Sequence, residues 1–245
     1  MQPKLLISCF FACLCWGSLP GQTITPARNL PDNITSVTVF GPFRLTIIPA
    51  GENRVAFDYG TVHPDDVIAE AEKGILILKL RNRKYLDDLK EDRPAHYVKV
   101  RLYIKDLEEI KARAGAVVRN EPEMFLKSRN LLIESEMGAD VRLQLLAKNL
   151  YVRCSMGSNT SLSGKTTLLE IKAGMGAILN ARNLVSEVCK ARASTGAELD
   201  VHARGSLDVD ASMGAVVYYS GNPRLTDTTL LFGAEIVKHK SNSIN

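Results

Sequence analysis

The sequence predicts an all-β solenoid, and three observations carry that expectation. Glycines followed by Ala or Ser recur at Gly115, Gly138, Gly157, Gly176, Gly196, Gly214 and Gly233, at nearly even distances that give a period of roughly 19 residues. On both sides of each glycine, apolar and polar side chains alternate with period two, the pattern of a strand with one buried face. A unit this small cannot bury an apolar face alone, so copies must stack, each strand pairing with its equivalent one coil along. About seven coils are expected, spaced roughly 4.8 Å along the axis. A propeller blade would need four strands and about twice this period.

Each repeat is justified position by position. Five residues before the glycine stand Ile110, Ile133, Val152, Ile171, Ala191 and Val209. Seven before stand Leu131, Leu150, Leu169, Cys189 and Leu207, with Glu108 the exception in the first copy. Three before, every residue is small: Ala112, Ser135, Cys154, Ala173, Ala193 and Ala211. Three after come Val118, Val141, Thr160, Leu179, Leu199, Val217 and Ile236. The interleaved position four before is polar throughout: Lys111, Glu134, Arg153, Lys172, Arg192 and Asp210. The glycine is expected at a corner between two strands, where the backbone needs conformations closed to other residues. A short polar turn such as Lys148-Asn149 or Arg182-Asn183 is expected to close each coil.

The corner itself reads Met-Gly-Ala at Met137, Met175 and Met213, and Met-Gly-Ser at Met156. Alanine suits the crowded inside of a corner, and methionine is expected to fill irregular core space beside it. Stacked Met137, Met156 and Met175 would also place thioethers in consecutive coils, a pattern that suits Cu(I). Thr195 interrupts that row in the next copy, which favours the filler reading.

Residues 34–105 are strand-like without sharing the glycine register. Val37 and Val39, Leu45 and Ile47, and the run Val98, Val100, Leu102 and Ile104 alternate with other residues; Val55 and Phe57 follow a Gly51-Glu52-Asn53 turn, and Ile75, Ile77 and Lys79 alternate after Lys73-Gly74. His63-Pro64-Asp65-Asp66 is expected to cap a short helix through Ala71, and Arg81 to Arg93 to form a solvated loop. This β-rich part is expected to share one domain with the repeats at 106–238 and to cover the open end of the solenoid, leaving 239–245 as a tail.

The stretch from Met1 to Gln22 reads as a secretory signal peptide. Lys4 precedes the apolar run Leu5 to Trp16, too short to cross a bilayer, and a small-residue stretch leads to cleavage near Gly21 or Gln22. A lipoprotein signal is the alternative: Cys9 and Cys13 loosely fit a lipidation box. No later segment is long and apolar enough to span a membrane. Cys9, Cys13 and Cys15 leave with the signal, so Cys154 and Cys189 remain, too few for a disulfide scaffold and expected as buried thiols.

A net charge of +4 with no run of Lys or Arg argues against nucleic acid. No catalytic, cofactor or metal residues emerge. The acids at the first outward position after the corner are two coils or more apart, and Glu198 and Asp200 neighbour Ile178, Asn180, Val216 and Tyr218. His63, His96, His202 and His239 lack metal-ligand spacing, and no nucleophile elbow or phosphate loop is present. Outward repeat positions offer only Tyr151 and Tyr218 as aromatic platforms for a glycan.

The ordered set "VTVFGPFRLTI", "KGILIL", "VRLYIKDLEEIKARAGA", the strand-Gly-Ala units and "YYSGNP" resembles a bacterial family of unknown function described as an auto-transporter adhesin, head GIN domain, over about residues 35–238. The resemblance implies a right-handed β-helix-like fold and an envelope or surface location. Members commonly read Ser-Gly-Ala at the corner, where this chain has Met-Gly-Ala in three copies. The functional expectation is an exported, non-catalytic envelope protein that adheres to or scaffolds a protein or glycan partner: periplasmic, outer-membrane-associated, at the surface or secreted. The alternative is a glycan-binding protein or a polysaccharide-active lyase or hydrolase, with a site around His63, Asp65, Asp66, Asp87 and Asp88.

Overall fold

The computed structural model describes residues 27–81 and 97–239. Their strands form one continuous sheet wound into a solenoid of about seven turns, with a period of about 19 residues. The first part holds β1 (Arg28–Asn29), β2 (Ser36–Phe40), β3 (Phe43–Pro49), β4 (Arg54–Asp58), β5 (Val67–Glu72), β6 (Ile75–Leu80) and β7 (Val98–Ile104). The repeats hold β8 (Glu109–Arg113), β9 (Val117–Asn120), β10 (Leu126–Ser135), β11 (Asp140–Cys154), β12 (Asn159–Ala173) and β13 (Ile178–Ala193). The last coils hold β14 (Glu198–Ala211), β15 (Val216–Ser220), β16 (Arg224–Leu230) and β17 (Glu235–Lys238).

From β8 onward every pairing is parallel and joins equivalent positions one coil apart. Ile110 lies opposite Ile133, Ile133 opposite Val152, Val152 opposite Ile171, and that row continues through Ala191 to Val209. All six are buried, and the larger ones contribute about 1.5–3 kcal/mol each by leaving water. The row of small residues from Ala112 to Ala211 is buried beside it. Outward, Arg153, Lys172, Arg192 and Asp210 are exposed; Glu134 alone in that row is buried, covered by Lys111 and Arg113 of the coil before and Arg153 of the coil after.

The corners turn through two successive left-handed residues, for example Met175 at φ 52° and Gly176 at φ 68°. A Cβ on Gly176 would meet nothing within 4 Å, so the backbone conformation and not crowding calls for glycine there. Each corner is laddered to the next: the Gly138 N–H donates to Met156 O at 3.1 Å and the Gly157 N–H to Met175 O at 3.0 Å. The expected role of the methionines is overturned. Met137, Met156, Met175 and Met213 are 39, 49, 59 and 59% exposed. The inside of each corner is already filled by the residue after the glycine (Ala139, Ser158, Ala177 and Ala215 are all buried), so the methionine is displaced to the outside.

The polar turns also differ from expectation. β11 and β13 run unbroken through Lys148-Asn149 and Arg182-Asn183. The buried set in β11 changes there from Val141, Leu143 and Leu145 to Leu150, Val152 and Cys154, so the strand bends without leaving the sheet. Asn149 keeps backbone partners in both adjacent coils, and its Nδ2 donates to Asn130 Oδ1 at 2.7 Å.

The amino-terminal part joins the stack out of sequence order. β2 lies parallel on β8 and β3 on β9, with Val37 opposite Ile110, Val39 opposite Ala112 and Leu45 opposite Val118. β6 and β7 then stack on the far sides of β2 and β3. The first coil in sequence therefore lies between two later ones. Phe40-Gly41-Pro42-Phe43 occupies the corner that Arg113-Ala114-Gly115-Ala116 forms in the next coil, with its glycine one place earlier. Antiparallel β4 on β7, β5 on β6 and β1 on β4 cover this end. One buried apolar cluster runs through both parts, from Leu30 to Val217.

The helix expected through Ala71 is absent. Pro64–Asp66 is a single 3-10 turn, and Val67–Glu72 is strand β5. Lys73 (φ 50°) and Gly74 (φ 82°) form a two-residue hairpin turn that pairs Glu72 with Ile75. The ladder so gained outweighs the modest helix preference of the Ala and Glu residues. The signal segment, residues 82–93 of the expected loop and residues 240–245 lie outside the described residues.

Candidate functional site

The outward side chains of β7, β3, β9 and β11 form a basic patch at the covered end of the solenoid. Lys99 stands opposite Arg44, Arg44 opposite Val117, and Val117 opposite Asp140. The parallel row runs Arg101, Thr46, Arg119, Arg142 and then Ser161. Strand alternation places these side chains outward because Val100, Leu45, Val118 and Val141 between them are buried. Adjacent strands put Lys99 beside Arg44 and Arg119 beside Arg142, roughly 5 Å apart along the axis and inside the Debye length of about 8 Å, while Thr46 separates Arg101 from Arg119.

Two shallow depressions run end to end along this face and share Arg119. One, about 460 Å³, is bordered by Arg44, Lys99, Arg101 and Arg119; the other, about 390 Å³, continues over Arg142, Gln144, Ser161, Ser163, Asn180 and Asn183. Among the described residues, five cations here face two carboxylates. Lys99 pairs with Asp58 at 3.1 Å, and Arg142 and Arg119 share Asp140 at 3.1 and 3.8 Å. Arg44 lies 4.4 Å over the Tyr97 ring, and Arg101 is exposed with no ion pair among the described residues. Among the described residues the face therefore carries more cations than carboxylates, beside side-chain amides and hydroxyls.

A further depression, about 400 Å³, crosses Arg153, Lys172 and Arg192 on the opposite strand segment. Its cations are matched by acids: Arg153 pairs with Glu134 at 3.0 Å, Arg192 and Lys172 share Glu170 at 3.6 and 3.8 Å, and Asp210 completes the lining. Near it, burial alone would raise the Glu109 pKa, but hydrogen bonds from Lys111 and Ser36 and the charges of Lys111 and Arg113 outweigh it and hold the carboxyl below its ordinary value. Balanced charge makes this side a structural network, so the two depressions sharing Arg119 are the better candidate for a ligand.

Residues weighed from sequence fall as follows. Glu198 and Asp200 do neighbour Ile178, Asn180, Val216 and Tyr218. His239 Nε2 lies 3.0 Å from Asp200 Oδ1, and the His239 ring stacks on Tyr218. His63 accepts the Asp65 N–H through Nδ1 at 3.4 Å, a local cap with both side chains largely exposed. His96, Asp87 and Asp88 lie outside the described residues. No group of three His, Cys, Asp or Glu side chains converges among the described residues. Tyr151 is 36% exposed. The seven corner glycines all have positive φ, between 67° and 75°. Cys154 and Cys189 are free and buried; burial pushes their pKa up to about 11 and about 12.

Sequence reasoning singled out none of Arg44, Lys99, Arg101, Arg119 and Arg142. The polar places of the strands containing Val100 and Leu45 signalled outward cations, but only the out-of-order stacking brings them beside β9.

Fold and surface together define a class: a stacked-coil β-solenoid that presents straight rows of outward side chains. The chain belongs to the family described as "Putative auto-transporter adhesin, head GIN domain", which matches residues 33–223. The fold is similar to a "putative adhesin" from Bacteroides fragilis NCTC 9343, with TM-score 0.73 and 16% identity over 89% of this chain and 97% of that one. It is similar to a "putative lipid binding protein" from Parabacteroides distasonis ATCC 8503, with TM-score 0.62 and 14% identity over 88% and 96% of the two chains. A "putative adhesin" from Parabacteroides merdae ATCC 43184 follows, with TM-score 0.56 and 11% identity over 88% and 95%. No curated protein matches the chain in sequence. No helix among the described residues is long and apolar enough to cross a membrane.

Proposed function

We propose that this protein is an exported, non-catalytic adhesin-type module of the bacterial envelope, and that it holds an acidic glycan along the face of Arg44, Arg101, Arg119 and Arg142. The observation that supports the reading is the charge imbalance there: five cations against Asp58 and Asp140, continuous with Gln144, Ser161 and Asn180. Guanidinium groups match carboxylates and sulfates in a bidentate manner. Amides and hydroxyls further along suit sugar hydroxyls. A linear polymer lying along the axis would meet a new rung at each coil, so many weak contacts add. The signal-like stretch from Met1 to Gln22 supports export, and the family supports an adhesive role.

The test is retention of the protein on immobilised polygalacturonate, heparin and neutral dextran at increasing salt. Binding to the two acidic polymers that weakens with salt and is lost in the triple variant Arg101→Gln, Arg119→Gln, Arg142→Gln is the expected result. Equal retention on dextran, or undiminished retention of the variant, would refute the reading.

A further inference from the structure

The corner row preceding the glycines carries half-exposed methionines, and we infer that it is a binding site for a soft monovalent cation, Cu(I) or Ag(I), held by the thioethers of Met137, Met156 and Met175. This inference is independent of the glycan reading and rests on a different edge of the solenoid.

The backbone does not single out methionine at these places, since Ala114, Thr195 and Phe232 take the same left-handed position at other corners. The three side chains are 39, 49 and 59% exposed, so each keeps a large share of its surface, thioether included, within reach of solvent. Their φ angles are 53, 53 and 52°, a left-handed conformation in which Gly or Asn is the less strained choice. Asn would also be the better solvated side chain. Three consecutive coils thus carry a thioether at one surface position, a row of soft donors of the kind a soft cation takes.

The geometry suits coordination. The Gly138 N–H donates to Met156 O at 3.1 Å and the Gly157 N–H to Met175 O at 3.0 Å, which ties each rung to the next at the spacing of one coil, roughly 4.8 Å. A metal–sulfur bond is about 2.3 Å, so two such bonds back to back span about 4.6 Å. An ion lying between two adjacent rungs would therefore meet a thioether from each without displacing the backbone. Side chains on neighbouring rungs of this row do reach one another: Thr195 Oγ1 donates to Met213 Sδ at 3.7 Å. Methionine is unbranched and flexible, so the thioethers of the two outer rungs can lean toward an ion beside Met156 and complete a three-sulfur set.

The donor set selects the ion. Thioether sulfur is neutral, polarizable and soft, and prefers Cu(I) and its analogue Ag(I) over Ca(II), Mg(II) or Zn(II), which take oxygen, imidazole or thiolate. Because no ligand must lose a proton, binding is expected to be independent of pH over the neutral and mildly acidic range. Met213 stands apart, since Thr195 separates it from the trio.

The test is a silver nitrate titration of the protein in chloride-free buffer, followed by isotope-labelled methionine methyl resonances. A parallel Cu(I) competition uses bicinchoninate under reducing conditions. The methyls of Met137, Met156 and Met175 should shift together, while that of Met213 stays in place. The triple variant Met137→Leu, Met156→Leu, Met175→Leu keeps the apolar bulk and should lose both Ag(I) and Cu(I) binding at unchanged melting temperature. Thr195→Met fills the gap and should bring the Met213 methyl into the response. Undiminished silver binding by the triple Leu variant, no binding by the unaltered protein, or equal shifts at Met213 would each overturn the assignment.

Discussion

Gly164 and Gly176 are both glycines at positive φ, yet replacing them by alanine should have very different costs. Gly164 lies within β12, opposite Leu145 of β11 and Leu184 of β13, at φ 120°. A Cβ there would stand 1.9 Å from Leu145 O, 3.0 Å from its carbonyl carbon and 3.2 Å from its nitrogen. The shortest of these falls about 1.5 Å inside ordinary contact, and every atom involved is backbone. The two coils would have to separate locally by that amount, which no N–H···O bond survives. Backbone strain of about 1–3 kcal/mol and two or three ladder bonds at about 1 kcal/mol each give a loss of about 4 kcal/mol. Gly176→Ala meets nothing within 4 Å and incurs only the left-handed backbone cost of about 1–2 kcal/mol. For a domain of this size those losses correspond to about 8–16 °C and about 2–8 °C in melting temperature. Thermal unfolding followed by circular dichroism at a strand wavelength measures both. Equal shifts, or a larger one for Gly176→Ala, would refute the close approach of β11 and β12 at Leu145.

Two further predictions follow from the alternation and the thiols. Ile171→Asp places an unpaired charge at a site with 0% exposure and should destabilise by several kcal/mol, whereas Lys172→Asp beside it should shift stability by no more than about 0.5 kcal/mol; comparable melting shifts would mean the faces are misassigned. Cys154 and Cys189 titrate near 11 and 12 in the fold against 9.0 ordinarily, so the unfolded chain releases their protons first. Their contribution is complete below pH 9 and is lost as pH rises through the folded values. Cys189→Ala should therefore flatten the alkaline decline in stability between pH 9 and about 12, and an unchanged slope in denaturant titrations would contradict the burial. Intact mass without reductant should show two free thiols.

The repeat was legible because its signal is strictly periodic: Ile133, Val152, Ile171 and Val209 recur at one place relative to the corner glycine and lie in one buried row. What sequence could not supply was any relation between distant segments. Arg44 and Arg119 become neighbours through a long-range pairing in which β2 and β3 slot between later strands, and no local pattern encodes such an order. The methionines were misplaced for a different reason. Alternation assigns inside and outside along a strand, but two left-handed residues at the corner suspend it, so hydrophobicity alone sent Met175 inward although it is 59% exposed. The region from Val67 to Glu72 was misread because Ala and Glu favour helix locally, while the Lys73-Gly74 turn that fixes the hairpin outweighs them.

Both proposed sites depend on outward rows that exist only if each repeat is one complete coil in register with its neighbours, and coil deletion tests that most directly. Removing Ser158 to Gly176 takes out one full period and joins Gly157 to Ala177, recreating a Met-Gly-Ala corner. β11 would then stack on β13, with Val141 meeting Leu179, Val152 meeting Ala191 and Cys154 meeting Ala193 in the existing rows. This shortened protein should remain soluble and unfold cooperatively, at a lower temperature for want of one coil interface. Removing only Ser158 to Lys165 deletes less of the chain but fuses parts of two coils and leaves too little to complete the turn, so it should yield little folded protein. If the partial-coil deletion melts as high and as cooperatively as the full-coil one, the coil is not the structural unit and both surface rows lose their basis.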